Sequence, residues 1–271
     1  SAFSDDLVPN VGSYLQYTDA IRSVARAPQA HVLRFEDAMA DATAYAGRLA
    51  ASVGVDAGPE ALSKATRQFA MREKTHRRDE FEPFERRLVE AILAEPMDAF
   101  GYDRRFYGEP RDDDAWNDDG KGWAGRSEGI VPLYGCAPAG PEGSGNLVVR
   151  DLAAKALVLH RAPVVEVSFE AKGFSRTGLR RDPGEQSFCA GEPGRPAQRL
   201  EALGEEGRSL SLVLSAPDAR RIGDLYATVL EFTSDRMIRP FVDREAAGDR
   251  RAEAATLTNL AIRPASKTGY V

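Results

Sequence analysis

The sequence predicts an α+β protein in two parts: a helical segment with one short strand over residues 1–105, then an antiparallel β-sandwich over 147–271. Three observations predict this. Apolar residues recur at helical spacing through 1–105, punctuated by Pro, Gly and Asp. After 147 they alternate with polar residues at period two. The intervening 106–146 is rich in Asp, Gly, Pro and Trp, has no period, and reads as a linker.

The elements follow in order. Tyr14, Tyr17, Ile21 and Val24 fall on one face of a first helix, which Pro28 stops. His31–Phe35 is short, apolar and β-prone, which predicts a buried strand. Asp41 caps a second helix whose shared face is Tyr45, Leu49 and Val53, and Gly54 or Gly58 ends it. Pro59 suits the first turn of a third, with Glu60 at the positive helix end and Leu62, Ala65 and Phe69 inward. Pro83 opens a fourth, with Phe84, Leu88 and Ile92 at four-residue spacing. Pro96 ends or kinks that helix, and Gly101-Tyr102 marks its exit.

In the third region Val165, Val167 and Phe169 alternate with Glu166, Ser168 and Glu170, one dry face and one wet. Leu210, Leu212 and Leu214 alternate with Ser209, Ser211 and Ser215 in the same way. Tyr226, Thr228, Leu230 and Phe232 form another period-two set, and Lys155–Arg161 and Thr256–Ile262 are weaker strands. Gly173–Gly207, heavy in Gly, Pro and Arg, is a long loop or a poor hairpin. Strands without intervening helices indicate an antiparallel sandwich or barrel.

Composition narrows the function. Lys and Arg number 36 against 42 Asp and Glu, a net charge of -6, which disfavours broad binding to nucleic acid or an anionic membrane. No apolar run is long enough to span a membrane as a helix. Ser1–Asp6 lacks the basic and apolar stretches of a signal peptide, and Cys136 and Cys189 read as free thiols in a reducing cytoplasm, although one bridge between them is open. No two of His31, His76 and His160 have metal-ligand spacing, and no Gly-x-Ser-x-Gly elbow occurs. The acidic run Asp112–Gly120 does not place its acids at EF-hand positions.

Val32-Leu33-Arg34-Phe35-Glu36-Asp37, followed by Ala38-Met39-Ala40-Asp41, resembles a hallmark of sulfotransferases: an apolar strand, Arg-Tyr-Glu-Asp-Leu, and an Asp that opens a helix. Val11-Gly12-Ser13-Tyr14 upstream and Phe84 through Phe100-Gly101-Tyr102 downstream extend the resemblance over about residues 8–104. It implies the C-terminal part of a sulfotransferase domain, with 3′-phosphoadenylyl sulfate as cofactor. The family's glycine-rich loop for the 5′ phosphosulfate has no counterpart before residue 31.

By that resemblance Arg72, Lys74, Arg77 and Arg78 contact the cofactor's 3′ phosphate, and His76 among them is the histidine to test as a base. The alternative is that these residues answer a helix dipole. Arg34, Glu36 and Asp37 either order a cofactor or acceptor pocket, or cap a helix with Arg34 paired to one of the acids. Trp116, Trp123 and Tyr226 are candidate platforms for a sugar, with Tyr134 a further ring, and Arg176, Arg180 and Arg181 could meet an anionic glycan; equally, the rings are core. Glu166 and Glu170, near Lys172, read as a solvated stripe.

Three functions compete at this point. The first is a sulfotransferase-related protein that transfers or recognises sulfate on a glycan or other hydroxyl acceptor. The second is a non-catalytic carbohydrate-binding β-sandwich of a cell-surface polysaccharide pathway. The third, a purely structural role, has no positive feature behind it.

Overall fold

Alternating strands need a partner for every backbone N–H and C=O, and the chain provides it with two antiparallel sheets. The computed structural model describes residues 2–68, 83–102, 128–139, 146–173, 186–201, 203, 206–216, 221–222, 224–235 and 254–265. Sheet A orders its strands β1 (Gly129–Tyr134), β4 (Ala153–His160), β10 (Leu225–Ser234), β6 (Phe188–Gly191) and β7 (Gln198–Leu200), with β9 (Arg221–Ile222) also on β10. Sheet B orders β2 (Cys136–Pro138), β3 (Leu147–Val149), β11 (Ala255–Pro264), β5 (Val164–Lys172) and β8 (Arg208–Ser215). Five helices complete the described elements: α1 (Ala2–Ala25), α2 (Phe35–Ala40), α3 (Ala42–Ser52), α4 (Pro59–Gln68) and α5 (Pro83–Ala99).

The chain divides into two compact units, residues 1–17 with 81–271, and residues 18–80. In the first unit the sheets enclose one core, where Phe169 and Leu257 of sheet B meet Val158, Phe188 and Phe232 of sheet A. A second core lies on the outer side of sheet A. There Leu7, Val8, Val11 and Leu15 of α1, and Leu88, Val89 and Ile92 of α5, pack with Leu157, Leu159, Ala227 and Val229. Alternation explains both: even residues of β4 and β10 point between the sheets, odd ones toward the helices. Lys155 points to the helix side as well, buried, with its Nζ 3.9 Å from Glu95 Oε2 of α5.

This architecture corrects the predicted fold class. The antiparallel sandwich is present, but residues 1–105 are not one helical, sulfotransferase-like part with a strand: residues 1–17 and α5 belong to the sandwich unit, and residues 18–80 form the other. Two sheets dominate, and α1 and α5 form a layer on sheet A. The sandwich also begins earlier than residue 147, because β1 and β2 come from 129–138. The strand expected at His31–Phe35 does not form. Residues 31–34 run outside any strand and Phe35 begins α2, since an apolar run without a pairing partner cannot satisfy its backbone as a strand. His31 is accordingly exposed and outside any strand.

The face assigned to the first helix is corrected too. Tyr14 and Tyr17 are 60% and 71% exposed, and Ile21 and Val24 are exposed with them. The buried face is Leu7, Val8, Val11 and Leu15, which meets the sheet. Pro96 lies inside α5 rather than at its end. The helix stops at a Schellman cap, where the Tyr102 N–H donates to Met97 O at 2.9 Å across Gly101 (φ +68°).

In the second unit Asp41 caps α3 as expected, its Oδ1 accepting from the Ala44 N–H at 2.9 Å. Gly54 (φ +72°) follows α3, and Pro59 starts α4. No residue of α3 is fully buried, so Leu49 and Val53 of its expected inner face are exposed.

Candidate functional site

The outer face of sheet B carries a polar array. β5 turns Val165, Val167, Phe169 and Ala171 inward, which leaves Glu166, Ser168, Glu170 and Lys172 outward. Register then fixes their neighbours. Across β8, Glu166 stands opposite Val213, Ser168 opposite Ser211, and Glu170 opposite Ser209. Across β11, Arg263 stands opposite Glu166, Ala261 opposite Ser168, Thr258 opposite Glu170, and Thr256 opposite Lys172.

The two carboxylates are held in place. Ser211 Oγ donates to Glu166 Oε1. Asn259 Nδ2 donates to Glu170 Oε2 at 2.8 Å, and Lys172 Nζ lies 3.4 Å from Glu170 Oε1. Asn259 reaches this position because β11 shifts register between Thr258 and Ala261. The bulged residue has φ +54°, a left-handed conformation that Asn tolerates better than most. The result is an open sheet face with carboxylates, hydroxyls and one amide at its centre and cationic side chains, Lys172 and Arg263, toward its ends.

A second polar cluster is closed off. At the end of β4, His160 is fully buried. Its Nδ1 lies 2.6 Å from Ala162 O, a group that only accepts, so Nδ1 carries the proton. Nε2, 3.0 Å from Thr228 Oγ1, then accepts from that hydroxyl. Tyr226 stacks on the imidazole, with ring centroids 5.8 Å apart and an interplanar angle of 15°. Burial pushes the His160 pKa below its ordinary 6.5; the Ala162 carbonyl and the charges of Glu128 and Glu192 pull less strongly upward.

The pH consequence has a definite sign. The unfolded imidazole binds a proton near pH 6.5, while the folded one resists it to lower pH. The stabilisation is present above that value and is lost as pH falls through it toward the folded pKa. The urea midpoint of the wild type should drop between about pH 7.5 and about pH 5, and the His160→Gln variant should show a shallower drop. Equal slopes for the two proteins would dismiss His160 as the source.

Of the residues singled out in the sequence, Tyr226 is described, and it is not a platform for a sugar. It is 9% exposed, its ring packed on His160 beneath the surface of the sandwich. Tyr134 is buried likewise. Trp116, Trp123, Arg72, Lys74, His76, Arg77 and Arg78 lie outside the described residues, and so do Arg176, Arg180 and Arg181. The site expected for 3′-phosphoadenylyl sulfate therefore falls on residues of which nothing is described. Asp37 is held between two arginines: Arg34 Nη2 donates to its Oδ1 at 2.9 Å and Arg48 Nη2 to its Oδ2 at 3.1 Å. That matches the pairing alternative for Arg34 and leaves Glu36 exposed.

Cys136 and Cys189 are both free thiols. Cys136 Sγ donates to Lys155 O at 3.2 Å, and burial pushes its pKa up to about 12, so it stays protonated and unreactive. No described helix is long and apolar enough to cross a membrane. What sequence reasoning missed is the meeting of Asn259, Thr258 and Arg263 with the β5 acids. The wet alternation of β5 and β8 was visible, but the bulge that delivers Asn259 has no sequence signal of its own.

Comparison with known proteins finds no matching family model and no matching curated protein. Solved structures similar over part of the chain include the following three. The CBM22-1–CBM22-2 tandem domain of Xyn10C from Paenibacillus barcinonensis is 16% identical, with TM-score 0.26, over 52% of this chain and 44% of that one. The CBM22-2 xylan-binding domain of the same protein is 10% identical, with TM-score 0.23, over 44% and 77%. A family 16 carbohydrate-binding module is 12% identical, with TM-score 0.23, over 53% and 91%. The chain thus spans less than half the length of the first of these, and likeness at this level assigns neither fold nor function.

Proposed function

We propose that the sandwich is a non-catalytic carbohydrate-binding module that holds an uncharged glycan chain on the outer face of sheet B. The observation that carries this reading is the pair Glu166 and Glu170, each already oriented by a neighbouring donor and still open to solvent on one side. A carboxylate has several acceptor sites, and neighbouring hydroxyls of one sugar suit its two oxygens. Ser168 and Ser209 add donors and acceptors on the same face. Glu166 and Glu170 stand about 13 Å apart by strand rise, so units of one glycan chain separated by at least one other would meet both. A sulfate or uronate set directly against Glu166 or Glu170 would meet like charge, whereas an uncharged hydroxyl would not.

Affinity electrophoresis through neutral and anionic polysaccharides tests this. Wild type should be retarded by a neutral polysaccharide. The Glu166→Gln/Glu170→Gln variant should bind roughly tenfold or more weakly, because a hydrogen bond to a charged group contributes about 1.5–3 kcal/mol. Absence of retardation by every neutral polymer, or an undiminished double variant, would overturn the reading.

A further inference from the structure

An antiparallel strand sends the N–H and C=O groups of alternate residues to opposite sides. In β8 the register with β5 continues one residue beyond Ser215, where the Ala216 N–H donates to Pro163 O at 2.8 Å. That phase turns the backbone groups of Leu210, Leu212 and Leu214 toward β5. Those of Ser209, Ser211 and Val213 turn outward, and β8 is the last strand of sheet B.

The chain's own segment around β7 flanks both ends of this edge. The Ser215 N–H donates to the buried Glu192 Oε1 at 3.0 Å, and Arg208 Nη1 donates to Glu201 O at 2.7 Å. Between these ends, no described residue bonds to the outward groups of Ser209, Ser211 and Val213. Natural edge strands are blunted by Lys, Pro or a bulge. Ser209-Leu210-Ser211-Leu212-Val213 has none of these, and its pairing with β5 is regular.

We propose that β8 pairs antiparallel with β8 of a second copy, about a two-fold axis through Ser211, so that two copies of sheet B become one continuous sheet. The segment is self-complementary in that register. Ser211 meets its own equivalent and Ser209 meets Val213 of the other copy, so every outward N–H faces an outward C=O. No charged side chain opposes a like one: Arg208 stands opposite Leu214 of the other copy. Val213, 48% exposed on the open face, gains a neighbour there. The pairing depends on backbone groups and stands whether or not the face binds a glycan.

Sedimentation velocity on the full chain tests it. Wild type should sediment at twice the 29.5 kDa chain mass. Ser209→Lys/Val213→Lys places like charges opposite each other across the axis and should sediment as a monomer with an unchanged circular dichroism spectrum. Ser209→Lys/Val213→Glu places opposite charges there and should restore the dimer. Independently of those variants, Ser211→Cys should form a disulfide between copies on mild oxidation, since paired residues at this position come within bridging distance. A monomeric wild type, equal masses for the two double variants, or no inter-copy bridge beyond the wild-type background would each overturn the proposal. A foreign extended peptide on the same edge would leave the wild type monomeric when pure, and so counts against it.

Discussion

Gly12→Ala is expected to destabilise the protein by about 1–3 kcal/mol, the cost of forcing an extra carbon into a packed contact. In an exposed helix the same change stabilises by about 0.5–1 kcal/mol, so the sign itself is diagnostic. The reason lies in how closely α1 lies on β1. A Cβ built on Gly12 would sit 2.7 Å from the Leu133 carbonyl carbon and nearer still to its oxygen. Those are backbone atoms, which cannot swing aside as a side chain can. β1 also shifts register between Pro132 and Tyr134, which leaves Leu133 out of the regular pairing with β4 at the point where the helix crosses. Gln16→Ala, at an exposed position of the same helix, provides the control and should lie within about 0.5 kcal/mol of wild type. Urea unfolding decides the matter: a Gly12→Ala midpoint at or above that of Gln16→Ala would mean that α1 does not dock on β1 as described.

Phe232→Ala should cost more, about 3–5 kcal/mol, the range for removing a fully buried aromatic side chain. Phe232 is the ring through which the two sheets meet. It stacks with Phe188 of its own sheet, centroids 6.0 Å apart at 22°, and meets Phe169 of the opposite sheet edge-on, 6.0 Å apart at 78°. All three are in the inter-sheet core, so truncation leaves a cavity that neither sheet can close without moving whole strands. Phe232→Leu fills most of that volume and should lose less than half as much. Denaturant titration of both variants gives the comparison; a loss for Phe232→Ala below about 1 kcal/mol would refute the arrangement.

How much of this was legible in the sequence differs strand by strand. β5 and β8 were clear because each has one face in the core and one in water, which writes period two into the residues. β10 shows period two in Tyr226, Thr228, Leu230 and Phe232, but β4 is weaker, since α1 and α5 bury its outer face as well and Leu157 and Leu159 blur the alternation. β2, β3, β6 and β7 run only three or four residues each, too short for a period to register. In α1 two stripes have helical spacing, Leu7-Val8-Val11-Leu15 and Tyr14-Tyr17-Ile21-Val24. The first is buried and the second is exposed, because the glycine that permits close docking belongs to the first.

The proposed binding face shows the same division. Its acids and serines show in the sequence as a wet stripe, yet a stripe on one strand is not a surface. The rings and arginines that looked more like a binding site proved to be buried, as Tyr226 is, or lie outside the described residues.

Local residue order sufficed for what depends on neighbours along the chain: the Asp41 cap, the Gly101 exit, and the inward and outward sides of β5 and β8. Spacing alone encodes those, because a helix repeats every 3.6 residues and a strand every two. Which strands lie side by side, which helix stripe is covered, and whether Asn259 reaches Glu170 were decided only when distant segments came together. Pairing register and close backbone approach are properties of two segments at once, and neither segment carries them on its own.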